Sequence, residues 1–517
     1  VAPLRQAPIA EVFMPHPALL RSPLTTSLLL ALAACQSGEV LGPADTIFGS
    51  GGTGDASGDG DGDGEPLLDM GPVLDLGDAS EAGGDPCKGE GSATLTGVVY
   101  APNMELPISG ALVWASKDPP EAIPNTVYCN ECVELECMTP YERTNADGSF
   151  ELELDPGPWF VSVQKGQFRR VVELEVGDGT TQLDATATSL PDHNDPAAGL
   201  TIPKIAVGWG AYDRLEDALA KLGLGDTTID MLAESEVLIL GTEQFDIWDN
   251  GDCSNYPDSD CWGDPETKLG TLEQLLSNYV LLEQYHILFL PCSNDKFLSI
   301  MEDPTVVENL REWVASGGKL YVADWSNEFL EYAFNGYQDF WRKLDTTKPD
   351  SWPSWADDPS TDIGSYDSVG TVLDQDLQAW LAALPDGLQD INPQNPGASE
   401  PYPVIDSLPM LPTVNLWSGV KAVYPVVVDD GEGGQVDVGH KVWIEGPGSD
   451  YWGVPPVDPP SPLTITGEYG CGKIMFTAYH TAENGTYIGL TPQELVLMYL
   501  ILDIGVCQEP YEVPPVP

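Results

Sequence analysis

Ten cysteines and five histidines carry most of the nucleophilic and soft metal-binding capacity of this 517-residue chain. Cys129-x-x-Cys132 followed by Cys137 has the spacing of a structural zinc knuckle, which needs reduced thiols as ligands. In an oxidising compartment the same residues would pair as disulfides instead. Asp59-Gly60-Asp61-Gly62-Asp63-Gly64 alternates as calcium loops do, but no glutamate stands at a twelfth position and no hydrophobic residue recurs. The acidic loop Asp246–Asp264 is dense in side-chain oxygens without a known calcium spacing. Ser326 lacks the glycines of a G-x-S-x-G elbow.

The compartment follows from the amino terminus. Leu28 to Ala34 is a short apolar run preceded by Arg21, long enough for a secretory signal and too short to span a bilayer. Leu32-Ala33-Ala34-Cys35 resembles the lipobox of bacterial lipoproteins, which implies cleavage before Cys35 and acylation of its thiol. Residues 1–34 are then a signal peptide, and because the chain opens on Val1, Met14 is an alternative start. Two acyl chains give stable anchoring. Gln36 and Ser37 follow the anchor where inner-membrane retention would favour aspartate, so the expected location is the cell envelope, at the outer membrane or cell surface.

Lys plus Arg number 21 against 82 Asp plus Glu, a formal charge of −61. Nucleic acid and anionic lipid both need cationic neutralisation, so neither is an expected partner. The membrane is reached through the lipid alone, and no cofactor is expected. Residues 35–90 are rich in Gly and Asp and poor in aromatic and β-branched residues, which predicts a disordered tether.

A β-rich segment occupies 91–185. Asp147-Gly148 is a hairpin signal ahead of the alternating run Phe150-Glu-Leu152-Glu-Leu154, and Trp159-Phe-Val161-Ser-Val163 alternates again. With Gly97-Val98-Val99, Pro107-Ile108-Ser109-Gly110-Ala111 and Pro156-Gly157, these motifs make the segment resemble the carboxypeptidase regulatory-like family. That resemblance implies a small seven-stranded, transthyretin-like β-sandwich acting as an accessory without peptidase activity. An insertion bearing Cys129, Cys132 and Cys137 departs from the family pattern, and with Cys87 it supplies four cysteines, enough for two disulfides.

Residues 200–507 alternate apolar strands with helices: strands at 202–208, 237–240, 286–290 and 319–323, helices at 213–222, 271–279 and 304–315. The pattern predicts a mostly parallel sheet covered on both faces, with any ligand beyond the carboxyl ends of its strands. Residues 508–517 are a tail. Tyr285 to Pro291, Val307 to Leu320 and Gly470 to His480 resemble the class I glutamine amidotransferase-like superfamily, which implies a flavodoxin-like fold interrupted here by insertions near 335–370 and 385–460. That superfamily places a nucleophilic cysteine in the turn that here reads Asp324-Trp325-Ser326-Asn327, with no cysteine and no small-residue flanks. Its catalytic His-x-Glu would fall on His480, but Glu483 stands three residues later, not two.

The helix opened by Thr491-Pro492-Gln493-Glu494, a capping box, would return Cys507 to the start of the strand near Cys471. The expected pairs are therefore Cys471–Cys507 and Cys253–Cys261, leaving Cys292 as the thiol at the edge where the superfamily does chemistry. The whole reads as a multidomain protein, a small all-β sandwich plus an α/β flavodoxin-like domain. The expected function is a lipid-anchored envelope or surface protein with a non-catalytic binding or structural role toward glycan, peptide or another envelope protein. The alternative is a divergent hydrolase or amidase using Cys292 or Asp324 with His480 and Glu483.

Overall fold

The alternation of Phe150, Leu152 and Leu154 with Glu151 and Glu153 becomes a half-buried strand, apolar side inward and acidic side out. It belongs to a computed structural model that describes residues 88–502 apart from several segments, the longest being 250–267, 341–365 and 390–404. The expected signal peptide, nearly all of the tether and the tail lie outside the described residues, as do Cys35, Cys87, Cys132, Cys253, Cys261, Glu483 and Cys507.

Strands β1 (Ala93–Val98), β2 (Leu112–Ser116), β3 (Tyr141–Arg143), β4 (Ser149–Leu154), β5 (Gly157–Lys165), β6 (Phe168–Val176) and β7 (Thr180–Gln182) fill the β-rich segment. They form two sheets, ordered β4-β1-β7 and β3-β2-β5-β6, whose inner faces share one apolar core. Strand β8 (Leu200–Thr201), expected to open the α/β part, instead pairs with Arg169 and Arg170 and extends the second sheet. Gly148 takes φ +76° in the turn before β4, where a Cβ would lie 2.6 Å from the Val99 carbonyl oxygen.

The α/β part continues with β9 (Ile205–Trp209), β10 (Thr227–Asp230), β11 (Ser235–Leu238), β12 (Asp246–Asp249), β13 (Lys268–Thr271), β14 (Ile287–Leu290) and β15 (Lys319–Ala323). Then come β16 (Gln338–Phe340), β17 (Tyr366–Val372), β18 (Met410–Leu416), β19 (Val420–Val423), β20 (Val427–Asp429), β21 (Gln435–Asp437), β22 (Lys441–Gly448), β23 (Val457–Tyr469) and β24 (Gly472–Thr477). One ten-stranded sheet runs β13-β12-β9-β14-β15-β24-β23-β22-β17-β18. Its first six strands are parallel. The strands β12-β9-β14-β15-β24 follow the order 2-1-3-4-5 of flavodoxin-like sheets.

Two expectations change. The segment 237–240 does not supply the second strand of the sheet: β11 pairs antiparallel with β10 in a separate ribbon. The sheet position goes to β12, inside the expected acidic loop, because Ile247 and Trp248 bury there while Asp246 accepts a 2.7 Å hydrogen bond from the Tyr285 hydroxyl. The two insertions are also no mere interruptions. They contribute β17, β18 and β22, which with β23 extend the sheet antiparallel beyond β24.

Helix Pro304–Ala315 begins at Asp303, whose carboxylate caps the Thr305 amide, and it buries Val306, Leu310, Trp313 and Val314 against the sheet. Helix Pro492–Ile501 carries the anticipated capping box between Thr491 and Glu494 and is buried all round except at Tyr499.

Sandwich and sheet share a continuous core and several polar ties. The Asn103 side chain donates to the Lys221 carbonyl at 3.0 Å, the Trp380 indole to the Pro107 carbonyl at 2.8 Å, and the Val127 amide to the Glu283 carbonyl at 2.7 Å. That last contact draws the cysteine-bearing insertion along the amino-terminal edge of the sheet. Cys129 there forms a disulfide with Cys471, their Cα atoms 5.1 Å apart. This corrects the expected Cys471–Cys507 pair and takes Cys129 out of any pairing internal to the sandwich. Cys137 is also disulfide-bonded, so the insertion uses cysteines as bridges and not as a zinc knuckle at these two positions.

Candidate functional site

Strands β14, β15 and β24 lie side by side and point the same way, so the turns leaving their carboxyl ends emerge together. Each turn supplies one chemical group. Cys292 follows β14 after Pro291, Asp324 directly follows β15, and His480 follows β24 after Ala478 and Tyr479. Neighbouring strands are spaced about 4.8 Å apart, and the thiol, a carboxylate oxygen and an imidazole nitrogen all fall within 4.8 Å of one another. His480 Nε2 stands 3.3 Å from Asp324 Oδ2.

All three are buried, at 1%, 0% and 5% exposure in chain order. Asp324 adopts φ +49°, the left-handed region that an aspartate tolerates better than most side chains. The turn therefore bends sharply without flanking glycines, and it presents a carboxylate at the carboxyl end of β15. Around this cluster, hydrogen bonds hold the turns. Ser326 donates to the Pro291 carbonyl at 2.6 Å, and the Gln493 side chain donates to the His480 carbonyl. The Thr481 amide donates to Asp213 at 3.1 Å, and the Tyr321 hydroxyl bonds both Thr477, at 2.9 Å, and Thr481.

Burial pushes the His480 imidazole down to about 3, so the ring is neutral at ordinary pH. A neutral imidazole accepts a proton or donates a lone pair. It does not supply the positive charge that stabilises a thiolate in a Cys–His nucleophile pair. Of the residues singled out from sequence, Cys292, Asp324 and His480 are brought together; Ser326 instead secures the Cys292 turn.

A second concavity went unnoticed in the sequence. At the opposite, amino-terminal ends of β15 and β24, a cavity of about 360 Å³ is lined by Lys319, Lys441, Lys473, His440, Trp443 and Glu468, among others. Lys441 Nζ lies 3.7 Å over the Trp443 ring and 2.8 Å from Asp374 Oδ2. Burial pushes His440 down to about 4, and its ring bonds Gln338 at 2.8 Å. The signal that could have found it is scarcity: basic residues are few in this chain, and three converge here.

No known family matches the chain, and no curated protein matches it. Solved structures that resemble it include a ThuA-like protein of Bacteroides uniformis, at 10% identity over 58% of this chain and 90% of that one, with a TM-score of 0.27. A cytoplasmic protein of Salmonella typhimurium shares 13% identity over 45% of this chain and 80% of its own, with a TM-score of 0.21. A cold-adapted β-galactosidase of Rahnella shares 12% identity over 60% of this chain and 33% of its own, with a TM-score of 0.24. The description of the fold rests on the strand order β12-β9-β14-β15-β24.

Proposed function

We propose that this chain is a lipid-anchored envelope protein whose folded part binds an anionic ligand, an acidic glycan by preference, and does not catalyse. In this reading Cys35 carries the lipid, the tether spaces the folded part from the outer membrane, the sandwich is a carboxypeptidase regulatory-like accessory, and the α/β part is a non-catalytic relative of the class I glutamine amidotransferases. The observation that carries the binding role is the cavity beside β15 and β24. Lys319, Lys441 and Lys473 line it in a chain with only 21 basic residues against 82 acidic ones. Its volume of about 360 Å³ suits a small ligand, and Trp443 offers an aromatic wall for a sugar face.

Calorimetric titration with uronic-acid oligosaccharides and with neutral ones of equal length tests the proposal. Acidic oligosaccharides should bind, more weakly in high salt, and Lys441→Ala or Lys473→Ala should weaken them at least about tenfold. Equal binding of neutral and acidic sugars, or none of either, would discard it. Incorporation of labelled palmitate, abolished by Cys35→Ala, tests the anchor.

The convergence of Cys292, Asp324 and His480 favours a second reading, a divergent hydrolase or amidase. Turnover of an ester or amide panel by the intact protein, lost in Cys292→Ser, would establish it over the first.

A further inference from the structure

We propose that Cys292, Asp324 and His480 together hold one divalent transition-metal ion, zinc by the chemistry of its donors. The site is separate from the lysine-lined cavity, and its argument is independent of the binding role.

The geometry comes first. Tetrahedral zinc binds nitrogen and oxygen at about 2.0–2.2 Å and sulfur at about 2.3 Å, which sets ligand-to-ligand edges near 3.4 Å for N···O and 3.6 Å for contacts to sulfur. The observed His480 Nε2 to Asp324 Oδ2 separation of 3.3 Å matches the first edge. It is longer than the roughly 2.7–2.9 Å of a charge-assisted hydrogen bond. Every pair of donor atoms lies within 4.8 Å, so the sulfur edges need to close by no more than about 1.2 Å, within the reach of small χ1 adjustments.

The donor set selects the metal. Thiolate, imidazole and a single carboxylate suit zinc and its neighbours, whereas calcium and magnesium demand shells of oxygen. Three protein ligands leave a fourth position for water. Binding breaks the Cys292 S–H bond: the sulfur lone pair goes to the metal and the proton to solvent.

The surroundings are built to aim these groups. The left-handed conformation of Asp324 shapes the turn from which its carboxylate lies within 4.8 Å of the other two donors. The Ser326 bond to Pro291 and the Gln493 bond to His480 fix the backbone on either side, as outer partners do in metal sites. Each ligand comes from a different parallel strand, so one ion would tie the carboxyl ends of β14, β15 and β24.

The test uses the intact protein, stripped with a chelator and titrated with Co²⁺. One equivalent should bind, with a thiolate-to-cobalt charge-transfer band in the near ultraviolet and intense visible bands of tetrahedral cobalt. Zinc should displace it and raise the melting temperature. Cys292→Ser should lose the charge-transfer band, and His480→Ala should weaken cobalt more than about 100-fold, beyond the loss from an outer-shell partner. Asp324→Asn keeps the side-chain volume and serves if Cys292→Ser fails to fold by circular dichroism; it should weaken binding likewise. Pale octahedral cobalt without the charge-transfer band would mean capture by the acidic surface and overturn the proposal. So would a charge-transfer band that survives Cys292→Ser, or unchanged affinity in a folded Asp324→Asn.

Discussion

Breaking the Cys129–Cys471 bridge is the perturbation whose size the structure fixes best. The bridge closes a loop of 342 residues. In the chain-entropy account such a loop removes about 20 cal/mol/K from the unfolded ensemble, worth about 6 kcal/mol at 25 °C. Measured disulfides rarely exceed about 5 kcal/mol, so the expected loss in a Cys129→Ser, Cys471→Ser double variant is about 3–5 kcal/mol. The polar ties of Asn103, Val127 and Trp380 across the same joint remain and keep the variant folded. Urea unfolding followed by tryptophan fluorescence is the assay. With a slope near 3 kcal/mol/M or above, the midpoint should fall by roughly 1–1.5 M. Peptide mapping without reduction should recover Cys129 linked to Cys471. A loss below about 1 kcal/mol, or a Cys471–Cys507 peptide in its place, would refute the reasoning.

Three further outcomes are expected. Burial first, then the neighbouring Asp217 carboxylate, pushes Glu216 up to about 8 despite Arg214. Its stabilising contribution is complete below its ordinary value of 4.5 and is lost as pH rises through about 8; denaturant midpoints of Glu216→Gln should fall less than wild type between pH 5 and pH 9. His440 has the opposite sign: pushed down by burial from 6.5 to about 4, it contributes stability above pH 6.5 that disappears as pH falls through about 4. His440→Asn should flatten that acid limb, and an unaltered limb would count against the assignment. Trp313→Ala should cost about 3–5 kcal/mol in urea unfolding, because the ring is fully buried and its indole donates to the Tyr285 carbonyl at 2.8 Å.

Local signals carried the parts of the fold that local physics decides. The helix Pro304–Ala315 and the strand Lys319–Ala323 were legible to the residue, since a capping aspartate, a first-turn proline and the pair Gly317-Gly318 mark their ends. The capping box at Thr491 was equally plain. Strand β12 was hidden because Asp-Ile-Trp-Asp reads as part of an acidic loop until Tyr285 and the neighbouring strand β9 are there to receive it. The place of β17 and β18 in the sheet was hidden because β17 finds its partners far along the chain, Thr371 pairing with Met410 on one side and with Glu445 on the other. For the site, the sequence could say which residues end the parallel strands. That Cys292, Asp324 and His480 converge depends on the order β14-β15-β24, in which residues 290, 323 and 477 end adjacent strands. The Cys129–Cys471 bridge depends on the insertion running along the amino-terminal edge of the sheet, a tertiary fact with no counterpart in cysteine spacing.

The same bridge has a consequence for how the protein meets proteases. Everything from residue 129 to residue 471 forms one covalent ring, which contains the strands β3 to β23 and the loops between them. A single cut in any of those loops opens the ring but releases nothing. A nicked molecule would keep its full mass until a reductant arrives, so cuts would accumulate silently as breaks in a chain that stays whole.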